Sequence, residues 1–159
     1  MLTASNCVST SEVIQALIAS TQSVFTTMLG SQIRLVDCCT LGKFQSANDL
    51  TGMVGLSGEI TGTVLVRLDQ SVAIGVAQKL LGSEIIEVDN DVRDMTGELA
   101  SLIAGDARQR ITDVTIALSL PTIISGPGHR ISFEPGADVQ RICFQSELGP
   151  VCVEAGIRS

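Results

Sequence analysis

Residues 94–111, DMTGELASLIAGDARQRI, decide the fold of this chain because their apolar and polar side chains alternate at the spacing of an α-helix. At about 100° per residue, one side of the helix is apolar and a polar stripe roughly 80° wide lies opposite. The apolar side consists of Val92, Met95, Leu99, Leu102 and Ile103, and the polar stripe of Asp94, Glu98, Ser101, Gly105 and Arg108. We therefore predict an amphipathic helix over about 91–111 that buries Leu99 and Leu102 and exposes Glu98.

Gly105 is the unusual member of the polar stripe. In a helix interior, glycine costs about 0.5–1 kcal/mol relative to alanine, so packing or function is expected to retain it. Because Gly105 has no side chain, the backbone of a partner can approach closely there. A carboxylate, a hydroxyl and a bare glycine on one face indicate a contact surface. The alternative is an ordinary solvated face of an amphipathic helix.

The run GELASLIAG, residues 97–105, resembles the signature helix of the CheC/CheX/FliY phosphatases of bacterial chemotaxis. In that family an acidic residue or Ser is followed by Glu four positions on, by Asn three further, and by Pro about twenty residues later. Those positions are Asp94, Glu98, Ser101 and Pro121 here. Residues 119–133 (SLPTIISGPGHRISF) and 24–30 (VFTTMLG) extend the resemblance towards CheX, and it covers roughly residues 10–156. Ser101 thus stands where the family has Asn.

The resemblance implies an α/β (α+β) fold, namely a pseudo-duplicated domain whose mostly antiparallel sheet is covered by helices. It also implies binding to the receiver domain of a CheY-like response regulator and hydrolysis of its aspartyl-phosphate. Glu98 would then pair with a lysine of the regulator, Ser101 would orient the attacking water, and Asp94, Gly105 and Arg108 would complete the contact face. The chain needs no cofactor of its own, since the regulator supplies Mg²⁺, and we expect a homodimer.

Two alternatives to a phosphatase remain open at this point. Ser101 holds a water nearer its own helix than an Asn amide does, and a displacement of about 1 Å costs roughly 100-fold in rate. The chain is therefore either a weak phosphatase or a protein that binds the regulator without hydrolysis. A self-assembling structural module of the flagellar-switch type, which uses an exposed sheet edge, is the competing class.

Composition limits the partners and the compartment. The chain has 159 residues, of which 45% are hydrophobic and 17% charged, so we expect one compact domain over 1–159 with residues 1–8 disordered. The net charge of −7, without a cluster of Lys or Arg, argues against nucleic acid and anionic membranes as partners. No apolar run reaches the ~20 residues of a membrane helix, and the N-terminal residues lack the pattern of a secretory signal. We therefore predict a cytoplasmic protein.

The thiols and the single histidine do not indicate a metal site. The five cysteines are Cys7, Cys38, Cys39, Cys143 and Cys152, and they form no CxxC motif. An odd number cannot all pair within the chain, so we interpret them as small hydrophobic residues. The only histidine is His129. No G-x-S-x-G motif surrounds Ser101, so a Ser–His–Asp hydrolase is not favoured, and His129 is expected to satisfy a loop hydrogen bond.

The glycine-rich and acidic segments have structural explanations. Residues 55–62, GLSGEITG, lack the Lys and Ser/Thr of a phosphate-binding P-loop and are expected to be part of a hairpin. Asp89, Asp91 and Asp94 lack the spacing of an EF-hand loop. They suit the positive N-terminal end of the signature helix, which we expect Asn90 or Asp91 to cap.

The remaining pattern predicts the order of the elements. A capping box of Ser9 and Glu12 opens a helix that ends at Gly30, and Gly82 ends a second helix over 71–81. Strands are expected over 32–40, over 52–68 as a hairpin that turns at 57–59, and over 114–125, 130–133, 138–146 and 151–157, with a loop over 42–50. We expect the last strand to offer a free edge to a second subunit.

Overall fold

The computed structural model describes residues 8–40 and 49–158, with the backbone alone for 38–40. The helices in this part of the chain are α1 (Thr10–Thr27), α2 (Gln70–Leu81) and α3 (Asn90–Arg110). The strands are β1 (Ile33–Thr40), β2 (Leu50–Gly58), β3 (Thr61–Leu68), β4 (Ile116–Leu118), β5 (Thr122–Ser125), β6 (Asp138–Ser146) and β7 (Gly149–Arg158). None of these helices is long and apolar enough to cross a membrane.

The strands form one sheet in the order β1-β6-β7-β3-β2-β4, with β5 also paired to β2. Every pairing between these strands is antiparallel. Each half of the chain supplies a helix, an outer strand and a hairpin, and each outer strand pairs with the hairpin of the other half: β1 with β6, and β4 and β5 with β2. The predicted antiparallel, pseudo-duplicated fold is confirmed, and the exchange of outer strands ties the two halves together.

The helix ends follow from local chemistry. Ser9 caps α1 and accepts a hydrogen bond from the Glu12 N–H at 3.3 Å, as predicted. Gly82 ends α2 with φ = 66°, a left-handed conformation that favours glycine. α1 ends at Thr27, three residues before the predicted stop at Gly30, whose φ of 59° reverses the chain after the helix.

The main core lies between the helices and one face of the sheet. From β3 it takes Val64, Val66 and Leu68, and from α3 it takes Leu99 and Ile103, all at most 1% exposed. The alternate residues of the strands lie on the opposite face, which the segment 126–137 covers: Phe133 contacts Gly156, and His129 hydrogen-bonds Thr51. The centre of the sheet is therefore buried on both faces, with polar groups on the second.

Three predictions about the segments before and inside α3 need correction or stay untested. Residues 1–7 of the predicted disordered N-terminus lie outside the described residues, but Val8 is buried against the core. The predicted loop over 42–50 lies outside the described residues up to 48, and Leu50 already begins β2. Leu102 is half-buried rather than buried, because the fully buried stripe of α3 is narrower than the predicted apolar side. That stripe is rich in small residues, such as Ala100 and Ala104.

Two strand predictions near the end of α3 are also wrong in part. Residues 114–125 form two short strands, because Pro121 has no N–H for a ladder bond and Ser119 bonds to Gly55 at the break. Residues 130–133 form no strand. They cross the second face of the sheet. Exposed and half-buried residues alternate along them because every second side chain packs onto that face, and not because they pair with a strand.

The prediction that the C-terminal strand offers a free edge is wrong. β7, which contains residues 151–157, lies between β6 and β3 and is hydrogen-bonded on both sides. Its run of apolar residues is explained by burial at the centre of the sheet, where residues 151–157 are all buried. Among the described strands, the edges are β1 on one side and the short strands β4 and β5 on the other.

Candidate functional site

The N-terminus of α3 is capped by Asp89, one residue earlier than predicted. Its carboxylate accepts a hydrogen bond from the Val92 N–H at 3.0 Å. Asn90 is the first helical residue, and its side-chain oxygen accepts a bond from Arg93 at 3.1 Å. The acidic residues here therefore serve the helix end. Across the described part of the chain, no group of His, Cys, Asp and Glu side chains is arranged to hold a metal ion.

The predicted polar stripe lies on the outer side of α3. Asp94, Glu98 and Arg108 are exposed, while Ser101 and Gly105 are half-buried. Glu98 and Ser101 are three positions apart on one helix, so the carboxylate and the hydroxyl are neighbours on the same face. We call the five residues Asp94, Glu98, Ser101, Gly105 and Arg108 the α3 face. The structure brings all of them together on one surface.

Two glycines let the sheet hold α3 at close range. A Cβ on Gly52 of β2 would lie 2.7 Å from the Thr96 carbonyl oxygen and 2.9 Å from the Ala100 Cβ. A Cβ on Gly97 would lie 2.9 Å from the Ile123 Cδ1 atom of β5 and 3.4 Å from the Pro121 Cβ. The helix backbone therefore rests directly on β2 and β5. Both contacts lie within one turn of Glu98, so they fix the α3 face relative to the sheet.

The break between β4 and β5 forms the rim of the site beside Gly97. The Ser119 hydroxyl accepts a hydrogen bond from the Gly55 N–H at 2.8 Å and donates to the Leu120 carbonyl oxygen at 2.9 Å. These bonds hold the chain so that Leu120 is 88% exposed and Pro121 lies against α3. The Pro121 position implied by the resemblance is therefore adjacent to the α3 face.

A groove of about 320 Å³ adjoins the other side of the α3 face, between α3 and the end of α1. Ser101 and Gly105 line it from α3, and Thr27 and the half-exposed Met28 line it from α1. A Cβ built on Gly105 meets no atom within 4 Å. Packing within the described residues therefore does not require this glycine, and the space above it is open to a partner.

His129 has the structural role that the sequence predicted. Its Nδ1 donates a hydrogen bond to the Gly126 carbonyl oxygen at 2.7 Å, and its Nε2 shares a hydrogen bond of 2.6 Å with the Thr51 hydroxyl. Thr51 points away from α3, because its neighbour Gly52 faces the helix. His129 is therefore on the opposite side of the sheet from Ser101. This arrangement excludes a Ser–His pair.

Sequence reasoning missed a cluster of buried charges on the second face of the sheet. Glu154 is 1% exposed and accepts from Arg67 at 3.3 Å, while the Arg141 guanidinium lies 3.8 Å from the same carboxylate oxygen. Arg67 also donates to the His129 carbonyl oxygen at 3.0 Å. Burial tends to lower the pKa of Arg141, but a hydrogen bond to Cys152 and the nearby negative charges outweigh it and raise the pKa. The cluster ties segment 126–137 to the sheet.

These features define a class of protein that consists of two helix–strand–hairpin halves with exchanged outer strands. In this class, a helix packed closely on the sheet exposes an acidic face. The sequence profile of the family described as "Chemotaxis phosphatase CheX" matches residues 50–145, more than half of the chain. The chain therefore belongs to the CheX family of chemotaxis phosphatases.

Individual members of this family are similar to the chain along most of its length. The CheY-P phosphatase CheX of Thermotoga maritima is 22% identical over 117 residues, which cover 72% of this chain and 76% of that protein. The crystal structure of a chemotaxis protein CheX from Desulfovibrio desulfuricans gives a TM-score of 0.84 at 28% identity, covering 92% and 99% of the two chains. A chain of the CheX-CheY-BeF3-Mg+2 complex from Borrelia burgdorferi gives a TM-score of 0.80 at 22% identity, covering 92% and 98%. The last likeness concerns the fold alone.

Proposed function

We propose that the protein binds the receiver domain of a phosphorylated CheY-like response regulator through the α3 face and hydrolyses its aspartyl-phosphate slowly. The observation that carries the proposal is the exposed Glu98 carboxylate, three residues from Ser101, on a helix that two glycine contacts fix to the sheet. Family membership supports it, as does the similarity to the CheY-P phosphatase CheX of Thermotoga maritima. The complex from Borrelia burgdorferi pairs a similarly folded protein with CheY.

Glu98 supplies the attraction in this proposal. It makes no ion pair with another described residue, so its carboxylate is available for a lysine of the regulator. Asp94, one turn earlier, adds a second negative charge to the same surface. Gly105 admits the partner's backbone, and Arg108 contacts an acidic group at the far end of the face. Because these contacts form around exposed charges, binding weakens as salt concentration rises.

Ser101 supplies the chemistry that this chain contributes. Its hydroxyl holds a water in line with the phosphorus atom of the regulator's phosphoaspartate. The water oxygen bonds to phosphorus, the P–O bond to the aspartyl carboxylate breaks, and inorganic phosphate leaves. The regulator supplies Mg²⁺ and the groups that neutralise the phosphoryl oxygens, so the chain needs no metal of its own. A serine in place of an amide makes this positioning poor, and binding without hydrolysis is the second candidate.

Binding of an activated receiver domain tests the proposal. The full chain is titrated with a CheY-like receiver carrying beryllofluoride and Mg²⁺, and affinity is measured by calorimetry. We expect Glu98→Lys to weaken binding at least tenfold, or about 1.4 kcal/mol. The control is Glu84→Lys, the same charge change at an exposed residue between α2 and α3. No binding by the unmodified protein, or equal losses in both variants, contradicts the proposal.

We also propose that the protein is a homodimer in the cytoplasm, where such regulators act, and that β1 forms the interface. β1 is an edge among the described strands, and its Leu35 and Val36 are 40% and 55% exposed. An edge strand with exposed apolar residues is a pairing surface unless something covers it. Light scattering at tens of micromolar tests this. A monomeric mass for the unmodified protein, or a dimeric mass that Val36→Lys leaves unchanged, contradicts β1 pairing.

A further inference from the structure

Two thiols lie directly opposite each other on the second face of the sheet, away from the α3 face. Cys143 of β6 and Cys152 of β7 are register partners, and their sulfur atoms are 3.8 Å apart. Neither cysteine forms a disulfide in the structure. Cys152 is 8% exposed, whereas Cys143 is half-buried and is therefore the one that a small solute reaches first.

The hairpin places these residues at a position that favours a covalent bond. Pro150 is the partner of Gln145 and has no N–H, so that pair lacks the reciprocal hydrogen bonds of an antiparallel ladder. Bonded and non-bonded pairs alternate along the strands, so the Cys143–Cys152 pair, two residues further, is also non-bonded. At such pairs the Cα atoms are about 4.5 Å apart and the side chains are closest. That separation lies inside the range of disulfides, which begins at about 4.4 Å.

A guanidinium also lies beside this pair of thiols. The Arg141 Nη2 atom donates a hydrogen bond to the Cys152 sulfur at 3.2 Å. This bond holds the Cys152 sulfur in place beside the Cys143 sulfur, which is 3.8 Å away.

We propose that Cys143 and Cys152 form a reversible disulfide across β6 and β7 when a peroxide is present. The Cys143 thiolate attacks the peroxide, an S–O bond forms, the O–O bond breaks and water leaves, which yields a sulfenic acid. The Cys152 thiolate then attacks the Cys143 sulfur, the S–O bond breaks, and the hydroxyl group leaves with a proton as a second water. Two thiols are oxidised and one peroxide is reduced to two waters. A dithiol then reduces the disulfide back to the two thiols and is itself oxidised.

Peptide mapping of the full chain tests the proposal. The reduced native protein is exposed to hydrogen peroxide, remaining thiols are alkylated after unfolding, and the protein is digested with trypsin. No Lys or Arg lies between Arg141 and Arg158, so both cysteines fall in the tryptic peptide 142–158. We expect that peptide without alkyl groups and lighter than its dithiol form by two hydrogen atoms. Cleavage after Glu147 should then leave two pieces that separate only on reduction.

Single-cysteine variants provide the control. In Cys143→Ser we expect the lighter peptide to vanish and the oxidation of Cys152 to slow at least about tenfold, since the accessible sulfur is gone. The mapping of the unmodified protein does not depend on how that variant folds. Three results overturn the proposal: a disulfide from 142–158 to another cysteine, stable sulfinic acid at Cys143, or full alkylation of both thiols after excess peroxide.

Discussion

Replacing Ser101 by asparagine should convert the α3 face into a faster phosphatase, because the amide reaches further from the helix than the hydroxyl. Ser101 is half-buried beside a groove of about 320 Å³, which has room for the larger side chain. A misplacement of about 1 Å in such a reaction costs roughly 100-fold in rate. We expect Ser101→Asn to raise the rate of dephosphorylation at least tenfold, which corresponds to an activation barrier lower by about 1.4 kcal/mol. Stability should change by only a few tenths of a kcal/mol, since the residue is not in the core.

The assay is single-turnover loss of phosphate from a CheY-like regulator at saturating concentrations of each variant. Glu98→Ala in the Ser101→Asn background should abolish the gain, because the amide then has no anchored partner. Ser71→Asn, the same substitution at an exposed position of α2, should leave the rate unchanged. If the unmodified protein is already fast and Ser101→Asn has no effect, Ser101 does not limit positioning. A gain that survives Glu98→Ala would refute the role of the α3 face.

Other substitutions test the packing and charges that support the site. In urea unfolding, Gly52→Ala should destabilise the protein by about 1–3 kcal/mol, because the added Cβ meets the Thr96 carbonyl. Gly105→Ala, whose Cβ meets open space, should instead stabilise the protein by about 0.5–1 kcal/mol and weaken regulator binding. Glu154→Ala should lower the free energy of unfolding by about 3–5 kcal/mol, because it leaves buried guanidinium charges uncompensated. Glu134→Ala, which breaks an exposed ion pair with Arg158, should lower it by at most about 1 kcal/mol. The hydrogen bond and charge of Arg110 hold the pKa of Asp106 below 3.8 despite partial burial, so Asp106→Asn should lower stability at pH 7 by less than about 1 kcal/mol. That loss should shrink as pH falls through the acidic range, because the carboxyl group becomes protonated first in the unfolded chain and, at lower pH, in the folded protein. Equal costs within either substitution pair, or a pH-independent Asp106→Asn effect, would contradict the respective argument.

Local patterns predicted the helices well because helix chemistry involves residues close in sequence. The 3.6-residue period gave α3 to within one residue at each end, and the Ser9 cap and the Gly82 stop were both confirmed. The cap of α3 was wrong by one residue because Asp89, Asn90 and Asp91 are all good caps and their intrinsic preferences hardly differ. Only the backbone geometry decides among them.

Strand order could not be predicted in the same way, since it depends on contacts far apart in sequence. The apolar run at 151–157 fits an open edge or a central strand equally well, and the structure places β7 at the centre. The ion pairs of Glu154 with Arg67 and Arg141 require β3, β7 and β6 to be neighbours, so nothing within any one strand indicated them. Gly52 gave a weaker signal, because a glycine inside a strand often marks a close approach of backbones.

The way α3 is held bears directly on what a substitution in its polar face can do. A serine at position 101 would hold the attacking water nearer the helix than an asparagine amide would. If the helix could slide by about 1 Å, it would bring that water to the position that the amide would give it, and serine would be an adequate substitute. Such a movement towards the sheet is blocked at Gly52, where β2 already meets the backbone of α3, and a sideways one is resisted at Gly97 by Ile123 and Pro121. Displacing close-packed contacts of this kind costs about 1–3 kcal/mol. In the proposed mechanism, the reach of the side chain at position 101, and not a movement of the helix, therefore sets how well this face positions water.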